Sequence, residues 1–331
     1  MIVVEKAILH VFDTTNGTMI LSDEPLSINE EVRVFLEGHI TKCFRKTSAK
    51  PGTLQETSAF YKAVQTYVSN GDFITFSQTT ANLWFRVLHQ AEGMSPSDLL
   101  ICDIRNDDVQ YLIFLRINNR QTFVHKVNIN GKIVCNELQT QASVPTGSAE
   151  ESVVFRVKDN TLFISQKKYM IDGNSMYALA EAILECNLKP SQQETMKAIQ
   201  KTAEKVAEDF GTNPIQAAAT VKNAVAREIE EKDSIDPIQL GKTVFSKSPA
   251  MQQAFQQKMQ DSGFTREERV TVDRDNLMKK IENHKIKTDT GIELIIPAEY
   301  FEDTEFIEFN HAEDGSLFIT LKHIGSIVNR S

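Results

Sequence analysis

The chain has 331 residues, a formal net charge of −9, and ordinary shares of apolar (41%) and charged (24%) side chains. This composition is typical of a globular protein long enough for about two domains. The negative charge argues against broad coating by nucleic acid or by an anionic membrane, because both are polyanions and would be repelled at long range.

Cysteine spacing and hydropathy restrict the possible classes of protein further. The four cysteines lie far apart without a Cys-x-x-Cys pair, a pattern that indicates neither a zinc knuckle nor a disulfide framework. No apolar run in the sequence approaches the roughly 20 residues that cross a bilayer, and the first residues lack the pattern of a signal peptide. We therefore expect a protein of the reducing cytoplasm.

The N-terminal part of the chain predicts a hairpin followed by helices. Strands at 2–12 and 18–21 flank Asn16-Gly17, a dipeptide favoured in tight turns between antiparallel strands. Apolar residues at helical spacing then predict three helices, at 28–46, 54–68 and 73–89. The first of these helices ends in basic residues with no acid between them, namely Lys42, Arg45 and Lys46.

The stretch 99–166 is the part around which we expect the first domain to be organised. It is rich in β-branched and aromatic residues and predicts short strands at 99–104, 111–117, 122–127, 132–135, 153–158 and 161–166. Turn residues separate them at Asn106-Asp107-Asp108, Asn118-Asn119, Asn130-Gly131 and Asp159-Asn160. Consecutive strands joined by such turns are expected to pair as an antiparallel meander.

A hinge at 187–190 precedes a change to helical sequence. Capping residues and apolar spacing predict four helices, over 191–210, from Asn213-Pro214 onward, over 238–245 and over 251–259. Strands return at 281–287, 293–296, 306–309 and 317–321. We predict the α+β class with two domains. Residues 1–188 would form an antiparallel meander packed with helices, and residues 189–331 a helical segment followed by a small antiparallel sheet.

No pattern in the sequence indicates catalysis, a metal or a cofactor, so we predict a non-enzymatic chain. Gly241-Lys242-Thr243 matches the end of a phosphate-binding loop, but Asp236 stands where the loop needs its first glycine. Asp236-Pro237 also signals the start of a helix, which would put Lys242 inside it. The seven histidines do not occur at zinc-binding spacings.

The acidic stretch from 299 to 314 leaves two alternatives open. Its carboxylates, including Glu305, Glu308 and Asp314, could dock a basic DNA-handling partner protein. They could instead hold a divalent metal for a nuclease or phosphatase. A solvated acidic strand face is the simpler interpretation.

Basic residues are candidates for contacts with DNA phosphates, which need only Lys and Arg on one accessible surface. One group lies on the predicted sheet, one at the end of the first helix, and one in the basic segment after residue 273. The candidate DNA-binding residues are Lys42, Arg45, Lys46, Arg116, Arg120, Lys126, Lys132, Arg274, Lys279, Lys280, Lys285 and Lys287. No recognition-helix or zinc-finger pattern accompanies them, so we expect weak reading of base sequence.

Short segments at both ends of the chain carry a family resemblance. The N-terminal ones are Ala7-Ile8-Leu9-His10, 21–26 and 76–83, and the C-terminal ones are 255–264, Val272-Asp273-Arg274, Leu277, Gly291-Ile292-Glu293-Leu294 and Tyr300-Phe301. In order and length these segments are similar to the bacterial 37-kDa nucleoid-associated protein family. The stretch from Lys279 to Lys287 is more basic than the family's pattern.

The resemblance implies association with the bacterial nucleoid, binding of double-stranded DNA with low sequence selectivity, and no catalytic residues. We therefore expect double-stranded DNA as the partner, with a DNA-handling protein as the second candidate. We also expect a homodimer, because exposed strand edges are often paired across a two-fold axis.

Overall fold

The computed structural model describes residues 1–14, 16–232, 234–265, 270–271, 283–301, 305–311 and 317–326. The chain divides into two compact units, Met1–Ser191 and Gln192–Ser331. Both units combine helices with antiparallel strands, so the predicted α+β class is confirmed.

The first unit contains twelve strands and three α-helices among its described residues. The strands are β1 (Ile2–Asp13), β2 (Thr18–Ile20), β3 (Lys50–Leu54), β4 (Ser97–Asn106), β5 (Val109–Asn118), β6 (Arg120–Asn130), β7 (Ile133–Ser143), β8 (Glu151–Arg156), β9 (Thr161–Ser165), β10 (Tyr169–Ile171), β11 (Asn174–Met176) and β12 (Cys186–Leu188). The helices are α1 (Glu30–Phe44), α2 (Ala59–Asn70) and α3 (Phe73–Leu88). A single π-helical turn, Leu179–Ile183, lies near the end of this unit.

Eight of these strands form one antiparallel sheet in the order β12-β3-β9-β8-β5-β4-β1-β2, and helices cover both of its faces. Successive residues of β1 point to opposite sides. Ala7 packs in the cluster with Leu36 of α1, whereas Ile8 belongs to the cluster that contains Phe60 of α2 and Trp84 of α3. The sheet is thus the middle of three layers, with an apolar core on each side.

The sheet departs from a continuous meander at one point. β4 pairs with β5 as predicted, but β5 then pairs with β8, and the hairpin of β6 and β7 stays outside the sheet. A strand covered by helices on both faces must be apolar on both. β8 meets this requirement with Val153-Val154-Phe155, all buried, whereas β6 alternates apolar residues with polar ones such as Thr122 and Asn128.

The second unit begins with the predicted helical segment and ends in two separate hairpins. Its helices are α4 (Gln192–Asp209), α5 (Pro214–Lys232), α6 (Leu240–Val244) and α7 (Pro249–Asp261), with a further short helix at Ala298–Phe301. Its strands pair as β13 (Ser234–Ile235) with β14 (Val270–Thr271), β15 (Asn283–Lys287) with β16 (Glu293–Pro297), and β17 (Ile307–His311) with β18 (Leu317–Leu321). One apolar cluster joins the four helices, and a smaller one joins the hairpins to α5.

The Gly-Lys-Thr segment that matches the end of a phosphate-binding loop lies in α6. The Asp236 carboxylate accepts hydrogen bonds from the backbone N–H groups of Ile238 (3.1 Å) and Gln239 (3.0 Å), and so caps the turn before the helix. Gly241 is buried against α7, where a Cβ atom would overlap the Phe255 ring. Close packing of two helices therefore accounts for this glycine.

His10 is expected to make the stability of the first unit depend on pH. Its side chain is buried, Nδ1 accepts a hydrogen bond from the Ser22 N–H (3.1 Å), and burial lowers its pKa to about 4. The unfolded chain, with an ordinary histidine pKa of about 6.5, binds the proton more readily, so stability falls as the pH drops from about 6.5 towards 4. Between pH 7 and pH 5 the expected loss from this group is about 2 kcal/mol.

Urea unfolding at both pH values checks this expectation. The His10→Gln variant should show a pH-dependent loss smaller by about 2 kcal/mol than the wild-type loss. Equal losses in the two proteins would mean that other groups carry the pH dependence.

Candidate nucleic-acid interface

A long β-ribbon projects from the first unit. β6 and β7 pair along their whole length and, among the described residues, belong to no other sheet. We call this ribbon, Arg120–Ser143, the arm. Each of its strands has 11 residues. At about 3.3 Å per residue, the arm is roughly 36 Å long. Nearly all of its side chains are exposed, so it does not cover the sheet.

The tip of the arm is a two-residue turn. Asn130 pairs with Ile133, so Gly131 and Lys132 form the turn, one position later than the predicted Asn130-Gly131. Gly131 has a φ of +62°, as the first position of a type II′ turn requires, and glycine adopts this conformation without steric cost. The turn places Lys132, which is exposed, at the outer end of the arm.

A buried ion pair holds the base of the arm. β5 leads into the arm and β8 follows it, and these two strands carry Arg116 and Glu151. Arg116 Nε donates to Glu151 Oε2 (2.9 Å), and Arg116 Nη2 donates to the Tyr169 hydroxyl (2.7 Å). That hydroxyl in turn donates to Glu151 Oε2 (2.7 Å). Burial, together with the Glu151 carboxylate, raises the pKa of Tyr169 far above its usual value, so the hydroxyl keeps its proton.

Arg116 therefore corrects one expectation from the sequence. It was predicted to line a DNA-facing surface, but its side chain is 0% exposed and its remaining donor, Nη1, bonds to Asn118 Oδ1 at 2.7 Å. A guanidinium enclosed in this way does not reach a phosphate. Its partner Glu151 lies 35 residues further along the chain, and no local pattern pairs the two.

The end of α1 lies beside the base of the arm. Lys42 Nζ donates to the Thr146 carbonyl (2.7 Å), and His39 Nε2 donates to the Pro145 carbonyl (3.2 Å). Thr146 is three residues beyond Ser143, the last residue of the arm, and so lies within about 11 Å of it. The end of α1, which carries Lys42, Arg45 and Lys46, therefore lies beside the base of the arm, where Arg120 is.

The cross-strand register divides the arm into two faces, because directly opposed residues point to the same side. The polar face consists of Arg120, Thr122, Val124, Lys126, Asn128, Asn130, Ile133, Cys135, Glu137, Gln139, Gln141 and Ser143. The apolar face consists of Gln121, Phe123, His125, Val127, Ile129, Val134, Asn136, Leu138, Thr140 and Ala142. The three formally charged residues within β6 and β7 all lie on the polar face, namely Arg120, Lys126 and Glu137.

The remaining basic candidates belong to the second unit. Lys285 and Lys287 are exposed on β15, and Lys287 Nζ forms an ion pair with Glu293 Oε1 at 3.1 Å. Arg274, Lys279 and Lys280 lie outside the described residues. The structure thus places Lys42, Arg120, Lys126 and Lys132 on or beside the arm, and Lys285 and Lys287 on a hairpin of the second unit.

The structure gives little support to the hypothesis that the acidic C-terminal strands form a docking or metal site. Glu308 forms an ion pair with Lys322 (2.8 Å), which lowers the pKa of the Glu308 carboxyl and offsets its charge within the chain. Glu305 is exposed, and Asp314 lies outside the described residues. In the part of the chain that the structure describes, no group of three or more His, Cys, Asp or Glu side chains is arranged to hold a metal ion.

The chain thus carries an exposed ribbon with Arg120 and Lys126 on one face and Lys132 at its tip. None of its described helices has the length and apolar character needed to cross a bilayer. Residues 8–326 match the family described as nucleoid-associated protein YejK, and the chain belongs to this bacterial family of nucleoid-associated proteins. This confirms the family resemblance seen in the sequence. A comparison with individual curated proteins gave no match.

Proposed function

We propose that the chain binds double-stranded DNA with low sequence selectivity, without catalysing a reaction, through the arm and the adjoining end of α1. Membership of a nucleoid-associated family supports DNA as the ligand. The proposed contact residues are Lys42, Arg45, Lys46, Arg120, Lys126 and Lys132. The observation that carries the proposal is that three of them, Arg120, Lys126 and Lys132, are exposed at the base, middle and tip of a projecting ribbon.

Distance from the acidic body explains how a chain with a net charge of −9 can attract DNA. From Arg120 to Ser143 the arm carries three bases against one acid, Glu137. Lys126 lies about 20 Å along the ribbon from Arg120, whereas the Debye length at physiological salt is about 8 Å. The negative charge of the sheet and helices is therefore largely screened at the middle and tip of the arm. Glu137 lies directly opposite Lys126, so the positive excess of the arm is at Arg120 and at Lys132.

The spacing of these cations favours backbone contacts over base reading. Arg120 and Lys126 are separated by about 20 Å, whereas successive base pairs lie only about 3.4 Å apart. Two such side chains reach separate phosphates and cannot form a continuous set of base contacts. We therefore expect affinities for random duplexes of different composition to agree within about tenfold, or 1.4 kcal/mol.

Salt dependence tests the proposal directly. Each phosphate contact contributes a slope of roughly −0.9 to a plot of log affinity against log salt, so six cations predict a slope of about −5. The measurement is fluorescence anisotropy of a labelled random-sequence duplex titrated with the wild-type chain over a range of salt concentrations. Absence of binding at low salt, or binding that does not weaken with salt, would contradict it.

A further inference from the structure

The apolar face of the arm is exposed to solvent along its length. Phe123, Ile129 and Leu138 are 73%, 71% and 74% exposed, and Val127 and Val134 are more than half exposed. A two-stranded ribbon is only marginally stable by itself in water, and a contiguous exposed apolar surface usually marks a site of interaction. This face therefore requires an occupant.

The charge pattern of the face restricts what that occupant can be. The face carries no Asp, Glu, Lys or Arg, whereas the polar face of the same ribbon carries Arg120, Lys126 and Glu137. A nucleic acid would gain nothing electrostatic from the apolar face. A charged protein surface would lose hydration there without finding an opposite charge. An uncharged, apolar surface of the same length and width is complementary, and the identical face of a second copy provides one.

We propose that the apolar face of the arm packs against the same face of a second copy, forming a two-fold symmetric dimer. Each surface would then be its own complement, as an isologous interface requires. Sheets stack face to face about 10 Å apart, which leaves room for side chains such as Phe123 and Leu138 to interdigitate. The two polar faces point outward in this arrangement, so dimer formation leaves Arg120 and Lys126 accessible.

The area of the face sets the expected strength of the dimer. A ribbon roughly 36 Å long and about 10 Å wide presents a flat area of about 360 Å². Protruding side chains add to this area, so two faces in contact bury roughly 700–1,000 Å². This is below the roughly 1,200–2,000 Å² of stable specific interfaces and is in the range of weak, transient ones. We therefore expect a reversible dimer that dissociates in the micromolar range.

The test is the mass of the full chain in solution, without DNA, at concentrations from about 1 to 100 µM, bracketing the micromolar dissociation constant expected for an interface of this size. Sedimentation or light scattering should show the wild-type mass rising from that of a monomer towards twice that value. The Phe123→Asp/Leu138→Asp variant should remain monomeric throughout. The matched control is Thr122→Asp/Gln139→Asp, which adds the same charge at adjacent positions on the polar face and should dimerise like the wild type.

Two outcomes would overturn the inference. The first is a wild-type chain that stays monomeric at every concentration. The second is a control variant that dissociates as readily as Phe123→Asp/Leu138→Asp. If the wild type is monomeric and only the apolar-face variant loses affinity for a random duplex, DNA is the occupant instead. Since the masses are measured without DNA, failure of this inference is distinguishable from failure of the proposed function.

Discussion

Arg116→Met is expected to lower the free energy of unfolding of the first unit by about 3–5 kcal/mol, because it leaves a buried charge without its partner. The Glu151 carboxylate is 0% exposed and would lose the bond from Arg116 Nε. The Tyr169 hydroxyl would lose its donor at the same time. Urea unfolding followed by circular dichroism measures the change.

The double variant Arg116→Met/Glu151→Met provides the control. Replacing both members of a buried ion pair by apolar residues is often neutral or stabilising, so this variant should recover most of the lost stability. A loss below about 1 kcal/mol in the single variant is the value typical of an exposed ion pair and would contradict the buried arrangement at the base of the arm.

Arg120→Gln/Lys126→Gln/Lys132→Gln is expected to weaken binding of a random duplex by roughly 10²- to 10³-fold at 0.1 M salt. Affinity varies as the salt concentration raised to a power, and each phosphate contact contributes roughly −0.9 to that power. The estimate follows from the loss of three such contacts. All three side chains are exposed on the arm, so the cores of both units should be unaffected. Fluorescence anisotropy at fixed salt measures the loss.

The matched control for this variant removes the same charge elsewhere. Lys62 on α2 and Lys197 and Lys201 on α4 are exposed and lie outside the proposed surface. Their replacement by Gln changes the net charge equally, and we expect it to weaken binding less than about tenfold, since none of the three is a proposed phosphate contact. Comparable losses in the two triple variants would mean that the overall charge, and not the arm, governs binding.

Local signals in the sequence predicted most of the elements. Helix starts such as Asp72 before α3 and Ser248 before α7 carry capping side chains that accept hydrogen bonds from the first turn, as short-range patterns indicate. The hairpin at Asn16-Gly17 and the helical segment after Ser191 follow from turn chemistry and apolar periodicity. These interactions join residues only a few positions apart, which is why the sequence alone defines them.

Features that depend on distant partners could not be predicted. β3 was not expected, because Pro51 and Gly52 are typical of a loop. β3 lies between β12 and β9, and Gly52 fits there because a Cβ atom would lie only 2.7 Å from Leu188 Cδ2 and 2.8 Å from the Asn187 carbonyl. β5 pairs with β8, which leaves the arm outside the sheet. This pairing depends on which of several strands is apolar on both faces.

The candidate site, like the fold, combines features that the sequence predicts with features that depend on long-range pairing. The sequence predicted Arg120, Lys126 and Lys132, on strands and their turns, as candidates for phosphate contacts. Their separation from the sheet was not recognised, and neither was the burial of Arg116, because both follow from long-range pairing. The strands of the arm were predicted as part of the meander, since local residue patterns do not say which strands pair.

The central claim is that the arm carries the phosphate contacts, and the salt dependence of the two triple variants tests it most directly. The slope of log affinity against log salt should be less steep by about 3 for Arg120→Gln/Lys126→Gln/Lys132→Gln than for the wild type. It should be unchanged for Lys62→Gln/Lys197→Gln/Lys201→Gln. Equal slopes in the wild type and the arm variant would contradict the account.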